Sequence, residues 1–435
     1  MRHLRHTTRS IAGIAAAGLL LAACSTDDTE DSAEPTGEET TDEVEEDVED
    51  DVESVEPASF AVDIDSSGDP YADAKAAAHH VREGAKTLSG GVIEAAGFEG
   101  SVDSEATEIR AGLTGLLQEH VYLAGFAVDA AYSFGPDSGE FELAANALDE
   151  NSVELADTVG SVAGDENREA FLNLWRDHVG FFVDYAVAVA EEDAEGQQQA
   201  QDELSGYTGD AGAFFSEITG GELPADAVAD SLQGHIDTLS AAIDAFAAGD
   251  AAAFDELKGA ADHVVGSAAV LSGGIAAAID AEGDTDSEAS QFRAGLTASL
   301  QEHVYLAGLA VKTAYAAGPD SPEFEAAAAT LDRNSVELAD GIGQVAGDDN
   351  RDAFLELWRQ HIGFFVDYAV ATAGDDEESQ RQAIDELEGY TGDAGAFFED
   401  VTGGELPADA VADSLRGHIS TLAGAIDSLN AAING

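Results

Sequence analysis

Histidine is the residue in this chain best suited to do chemistry. Of 11 histidines, His3 and His6 fall within the first 23 residues and nine follow. Eight of the nine form two equivalent sets, His120, His178, His235 and His263, and His303, His361, His418 and His80. Three members of each set recur about 58 residues apart, each three residues after an apolar residue, as in Leu117-x-x-His120, Trp175-x-x-His178 and Leu232-x-x-His235. Neutral imidazole is a ligand for zinc, copper and iron, and helical bundles build such sites from inward-pointing side chains on facing helices. The cofactor is left unknown by the residues alone; a transition metal ion or haem is the one that converging histidines would take. Glu119, Asn151 and Asp184, with their counterparts Glu302, Asn334 and Asp367, are candidates for further ligands or for groups that orient the rings. The plainer role for a histidine on an apolar stripe is a core residue satisfied by its neighbours.

Other chemistry finds little support. The chain has no H-E-x-x-H, no Glu-x-x-His pair at di-iron spacing, no C-x-x-C-H and no G-x-S-x-G elbow. Gly341-x-Gly343-x-x-x-Gly347 has no preceding strand and reads as a helix end rather than a nucleotide loop. Trp175, Phe181, Phe182 and Tyr185 form an aromatic cluster at helical spacing, which suits core packing. No catalytic residue is assigned, and the expectation is a chain that is not an enzyme.

The elements that must position these histidines are helical. Ile109, Leu113, Leu117, His120, Ala124, Ala127 and Ala131 recur at three- and four-residue steps, and similar stripes run from Phe171 to Val189 and from Val228 to Phe246. No segment alternates with period two, so the fold class is all-α. From about Tyr71 the chain is duplicated at an offset of 183 residues, and residues 110 to 190 match their copies at about three positions in four. Helical hairpins are expected over 103–162, 165–219 and 225–281, giving two duplicated six-helix bundles. The second copy, 286–432, contains only five helices. The counterpart of its missing helix lies at 70–97, where Ala78-His79-His80-Val81 parallels Ala261-Asp262-His263-Val264. That N-terminal helix is expected to complete the second domain, because an open apolar face would be costly. The predicted divisions are 1–23, 24–69, 70–99, 100–283 and 284–435.

The first division reads as a lipoprotein signal peptide. Arg2, Arg5 and Arg9 precede an apolar run from Ile11 to Leu21, which ends in Leu21-Ala22-Ala23-Cys24. Cys24 is the expected lipidation site, and two or three acyl chains would anchor the protein durably. The partner expected through that anchor is the membrane, with the chain on the outer face of the cytoplasmic membrane. Cys24 is the only cysteine, so disulfides, thiolate metal sites and cysteine nucleophiles are excluded. Residues 25 to 57 hold 17 Asp or Glu and no Lys or Arg, the composition of a disordered tether. Over the whole chain 89 acids face 17 Lys plus Arg, a formal charge of −72. Phosphate recognition needs clustered cations, so nucleic acid is excluded as a partner. Acidic surfaces with so little lysine fit adaptation to high salt, a statement about solubility rather than fold.

The run L-x-E-H-V-Y-L-A, then L-D-x-N, then F-L-x-L-W-R-x-H-I-G-F-F-V-D-Y, then L-x-x-H-I-x-x-L resembles a secreted helical domain of Gram-positive bacteria. Proteins bearing it are often labelled copper amine oxidase domain-containing proteins. The resemblance covers nearly all of 70–435, twice over. The label's activity is not expected here, because such oxidases make their quinone cofactor from a tyrosine in an Asn-Tyr-Asp/Glu context and this chain has no Asn-Tyr pair. The functional expectation is a non-enzymatic surface lipoprotein presenting two helical modules to a protein or small-ligand partner, with a metal- or haem-binding lipoprotein as the alternative.

Overall fold

Short capping residues and glycines divide the chain into helices of similar length. A computed structural model describes residues 62–435; Cys24, the proposed signal peptide and most of the proposed tether lie outside the described residues. The helices are α1 (Pro70–Ala96), α2 (Glu105–Phe134), α3 (Gly139–Ala163), α4 (Asp165–Ala190), α5 (Ala194–Ile218), α6 (Ala225–Ala248), α7 (Ala253–Ala278), α8 (Glu288–Ala317), α9 (Pro322–Ala346), α10 (Asp348–Ala373), α11 (Glu377–Val401) and α12 (Ala408–Asn434). Among the described residues there is no strand, and the fold is all-α. Ser104, Ser138, Ser287 and Ser321 each accept a backbone N–H in the first turn of the helix that follows, satisfying donors that have no helical partner.

Neighbours in sequence are neighbours in space. In order, α2 to α7 each pack on the next, and α7 returns to α2, closing a ring of six. The helices α8 to α12 pack in the same order, and α1 closes their ring by lying against α12 and α8. Within each ring alternate helices also touch across the middle: α6 meets α2 and α4, while α12 meets α8 and α10. The innermost helices are therefore the first members of the successive hairpins. Their stripes (Leu113, Leu117 and Val121 on α2; Phe171, Trp175 and Phe182 on α4; Val228, Leu239 and Ile243 on α6) are buried together. Fully burying such a side chain is worth roughly 1.5–3 kcal/mol, and this sets which face of each helix turns inward.

The helix α7 is long and apolar enough to cross a membrane. It nevertheless packs against α2 and α6, with Leu257, Ala260 and Ala261 fully buried.

The two rings meet along α2 and α8. Residues separated by 183 positions face each other there: Gln301 Nε2 donates to Gln118 Oε1 at 3.1 Å, and the Tyr122 and Tyr305 rings stack at 5.2 Å. Lys312 forms an ion pair with Asp129, its own counterpart. Two backbone bonds repeat the relation, Ala106 N–H to the Glu282 carbonyl and Ala289 N–H to the Glu99 carbonyl, both 3.0 Å.

The end of the expected tether departs from the sequence reading. Residues 62–66 lie along α11 and α12: the Val62 N–H donates to Glu388 Oε1 at 3.0 Å and Ser66 Oγ meets Ser428 Oγ at 2.7 Å. Gly424 permits this approach, since a Cβ there would stand 1.8 Å from the Asp65 carbonyl oxygen. Acidic composition misled at this boundary because the contacts are made mainly by backbone groups.

Candidate metal centres

Each ring brings three histidines to its middle. His120 on α2, His178 on α4 and His235 on α6 have ring centroids 5.4, 5.9 and 6.4 Å apart. His303, His361 and His418 on α8, α10 and α12 repeat this at 5.3, 6.0 and 6.3 Å. One nitrogen from each ring lies within 4.8 Å of the other two in both clusters. The six rings are between 1% and 6% exposed. Aromatic neighbours hold them in place. Trp175 packs edge-on to His178 at 4.4 Å and to His120 at 4.8 Å, and Tyr207 stacks on His178 at 4.8 Å. Trp358 and Tyr390 do the same in the second cluster.

These rings lack the partners that buried imidazoles normally have. Neither nitrogen of His120, His178, His235 or His418 has a hydrogen-bond partner, nor has Nδ1 of His303 or His361. The backbone of Trp175, one turn before His178, comes near enough to raise that ring's pKa slightly but not into hydrogen-bond geometry. The one polar contact within the clusters is His361 Nε2 to His303 Nε2 at 3.4 Å. Two nitrogens bound tetrahedrally to one ion at about 2.0–2.1 Å would be separated by roughly 3.3–3.4 Å. An unpaired buried polar group costs about 1–3 kcal/mol, so six such rings form a large uncompensated cost that a bound cation would relieve. Burial disfavours the charged form and pushes His178 and His418 down to about 3, and His235 and His303 to about 4. His120 and His361 are lowered too, first by burial and then by the neighbouring histidines. The rings are thus neutral, as ligands must be. Two axial nitrogens on opposite faces of a haem iron would stand roughly 4 Å apart at such bond lengths, whereas His361 Nε2 and His303 Nε2 are 3.4 Å apart, so this pair suits a bare ion better than haem.

The fourth histidines are placed differently from expectation. His263 Nε2 bonds the Ser231 carbonyl at 3.0 Å and His80 Nε2 bonds the Ser414 carbonyl at 2.8 Å. Each ring sets its Cε1 edge against a glycine, Gly234 or Gly417, where an added Cβ would overlap it. They tie α7 to α6 and α1 to α12, and the clusters hold three histidines rather than four.

The supporting residues also serve elsewhere. Glu119 and Glu302 precede their histidines by one position, about 100° around the helix, and face the seam between α2 and α8. Glu119 Oε1 accepts from Asn151 Nδ2 at 3.0 Å, and its Oε2 accepts from Tyr305 OH at 3.1 Å and meets His79 Nε2 at 3.0 Å. Glu302 pairs with Asn334 Nδ2 at 2.9 Å, Tyr122 OH at 2.9 Å and Lys258 Nζ at 3.2 Å. Burial raises both carboxyls. His79 and Arg82 reverse this at Glu119, which ends lowered, while Glu302 remains raised with nearby Asp262 adding to the effect. Asp184 and Asp367 are exposed. The stacking tyrosines Tyr207 and Tyr390 escaped sequence reasoning, although the shared run Tyr-Thr-Gly-Asp-Ala-Gly-Ala-Phe-Phe carried the signal.

Beside each cluster is an apolar cavity. The first, of about 340 Å³, is lined by His120, Trp175, Tyr207, His235, Val264 and Leu271 among others. The second, of about 280 Å³, is lined by their counterparts His303, Trp358, Tyr390, His418, Val81 and Leu88. No family model, curated protein or solved structure matches the chain.

Proposed function

We propose that the chain is a membrane-anchored, non-enzymatic binding protein whose two rings each hold one first-row transition ion, zinc or copper, on three histidines. The observation that carries this reading is the convergence of three buried, neutral imidazoles with unpaired nitrogens in each ring. With thiolates excluded, imidazole selects borderline ions of this kind, and copper binds such donors most tightly among the divalent ions. Three protein ligands leave a fourth position for a small exogenous donor. The anchoring part of the proposal rests on the sequence ending in Cys24.

One experiment tests both parts. Chain extracted from membranes with detergent and equilibrated with zinc or copper should carry two ions. His178→Ala should leave one, and His178→Ala with His361→Ala none, with helix content unchanged. Cys24→Ser should move the chain to the medium with both ions retained. A fully folded wild type that takes up no ion ends the metal reading, and a Cys24→Ser chain that stays in the membrane fraction ends the anchor.

A further inference from the structure

The cavities give the open coordination position a specific neighbourhood. Each lies against two of the three histidines of its cluster, and its remaining lining is mostly apolar, with a few small polar residues and one glutamate, Glu108 or Glu337, that is paired with Arg293 or Lys258. Neither lining contains a lysine or arginine. The first cavity reaches the surface beside Val270, which is 43% exposed. Its volume of about 340 Å³ compares with the roughly 150 Å³ at which an apolar cavity stays dry and takes up a molecule such as benzene. Trp175 and Trp358, 5% and 7% exposed, line the cavities, and neither indole Nε1–H has an acceptor. An oxygen that reached Trp175 Nε1 or Trp358 Nε1 from the cavity would satisfy a donor that the fold leaves without a partner.

Charge narrows the choice. Three neutral imidazoles leave a divalent ion with its full charge in a medium of low dielectric, where one anionic donor is strongly favoured. A dianion such as phosphate would also neutralise the ion, but its outward oxygens would meet a mostly apolar wall with no lysine or arginine. The ligand that meets all of these demands has one carboxylate and an apolar body.

On the basis of the metal reading above, we propose that each ring binds a small apolar monocarboxylate, with one carboxylate oxygen on the metal, the other accepting the Trp175 or Trp358 indole N–H, and the hydrocarbon in the cavity. The test loads the full chain with cobalt(II), whose visible bands report its coordination, and titrates octanoate. Octanoate should shift the bands saturably at two equivalents per chain. Acetate should bind at least about a hundredfold more weakly, since each buried methylene contributes roughly fourfold. Methyl octanoate, which lacks the anionic head, should leave the bands unmoved. Leu271→Trp with Leu88→Trp, which fills both cavities, should abolish the octanoate shift and retain two cobalt ions. Two bound cobalt ions with bands indifferent to octanoate, or shifted equally by acetate, overturn this proposal and leave the metal centres standing. A chain that binds no cobalt overturns both.

Discussion

His178 shows how far one side chain's surroundings change its chemistry. In an unfolded chain the ring would titrate near 6.5, whereas in the fold burial lowers it to about 3. Below 6.5 the unfolded chain therefore takes up a proton that the folded chain refuses. The stability that depends on this ring is fully present above about 6.5 and is lost as pH falls toward 3. Between pH 7 and pH 5, metal-free wild type should lose roughly 2 kcal/mol more than a His178→Phe variant, measured by denaturant unfolding. Equal losses would mean that the ring ionises freely within the folded protein. All six clustered histidines were legible in the sequence, because their stripe positions and regular recurrence turn them inward. The two extra candidates stood outside that 58-residue recurrence and joined the sets only as counterparts of each other under the duplication. His80 and His263 are half-buried, and which way each ring turns depends on a carbonyl and a glycine contributed by another helix.

At the scale of elements, helix periodicity and the hairpin spacing were enough to read the all-α class and to place the histidines on separate helices. Periodicity could not show that alternate helices of a ring touch in its middle, because that depends on how the hairpins close. The helix α1 makes its main contacts with α8 and α12, which follow it by almost 200 residues or more. It contributes Val81, Val92 and Ile93 among many small buried residues. At roughly 1.5–3 kcal/mol each, these three are comparable to a sizeable part of the 5–15 kcal/mol that stabilises a typical domain. Removing residues 62–98 should therefore expose amide protons on α8–α12 to exchange and reduce bound metal from two ions to one. Loss of protection in α2–α7 with α8–α12 unaffected would show that the stabilising role of α1 lies with the first ring.

For the molecule as a whole, the formal charge of −72 is combined with a few cations kept inside. The side chains of Lys75, Lys258, Arg293 and Lys312 are all less than 10% exposed and bridge different helices. The acids outside repel one another over a Debye length of about 10 Å at 0.1 M salt, which shrinks to about 3 Å at 1 M. The melting temperature should rise by several degrees across that range, and a flat profile would count against salt adaptation. Lys312 has a consequence of a different kind. It faces Asp129, the residue at the same position in the other copy. Around a two-fold axis joining identical subunits, each residue near the axis meets itself, so this position would set aspartate against aspartate or lysine against lysine. Carrying both copies on one chain lifts that restriction. Each half can change without forcing the same change on its twin, and here the freedom has turned a point of self-repulsion into an attraction.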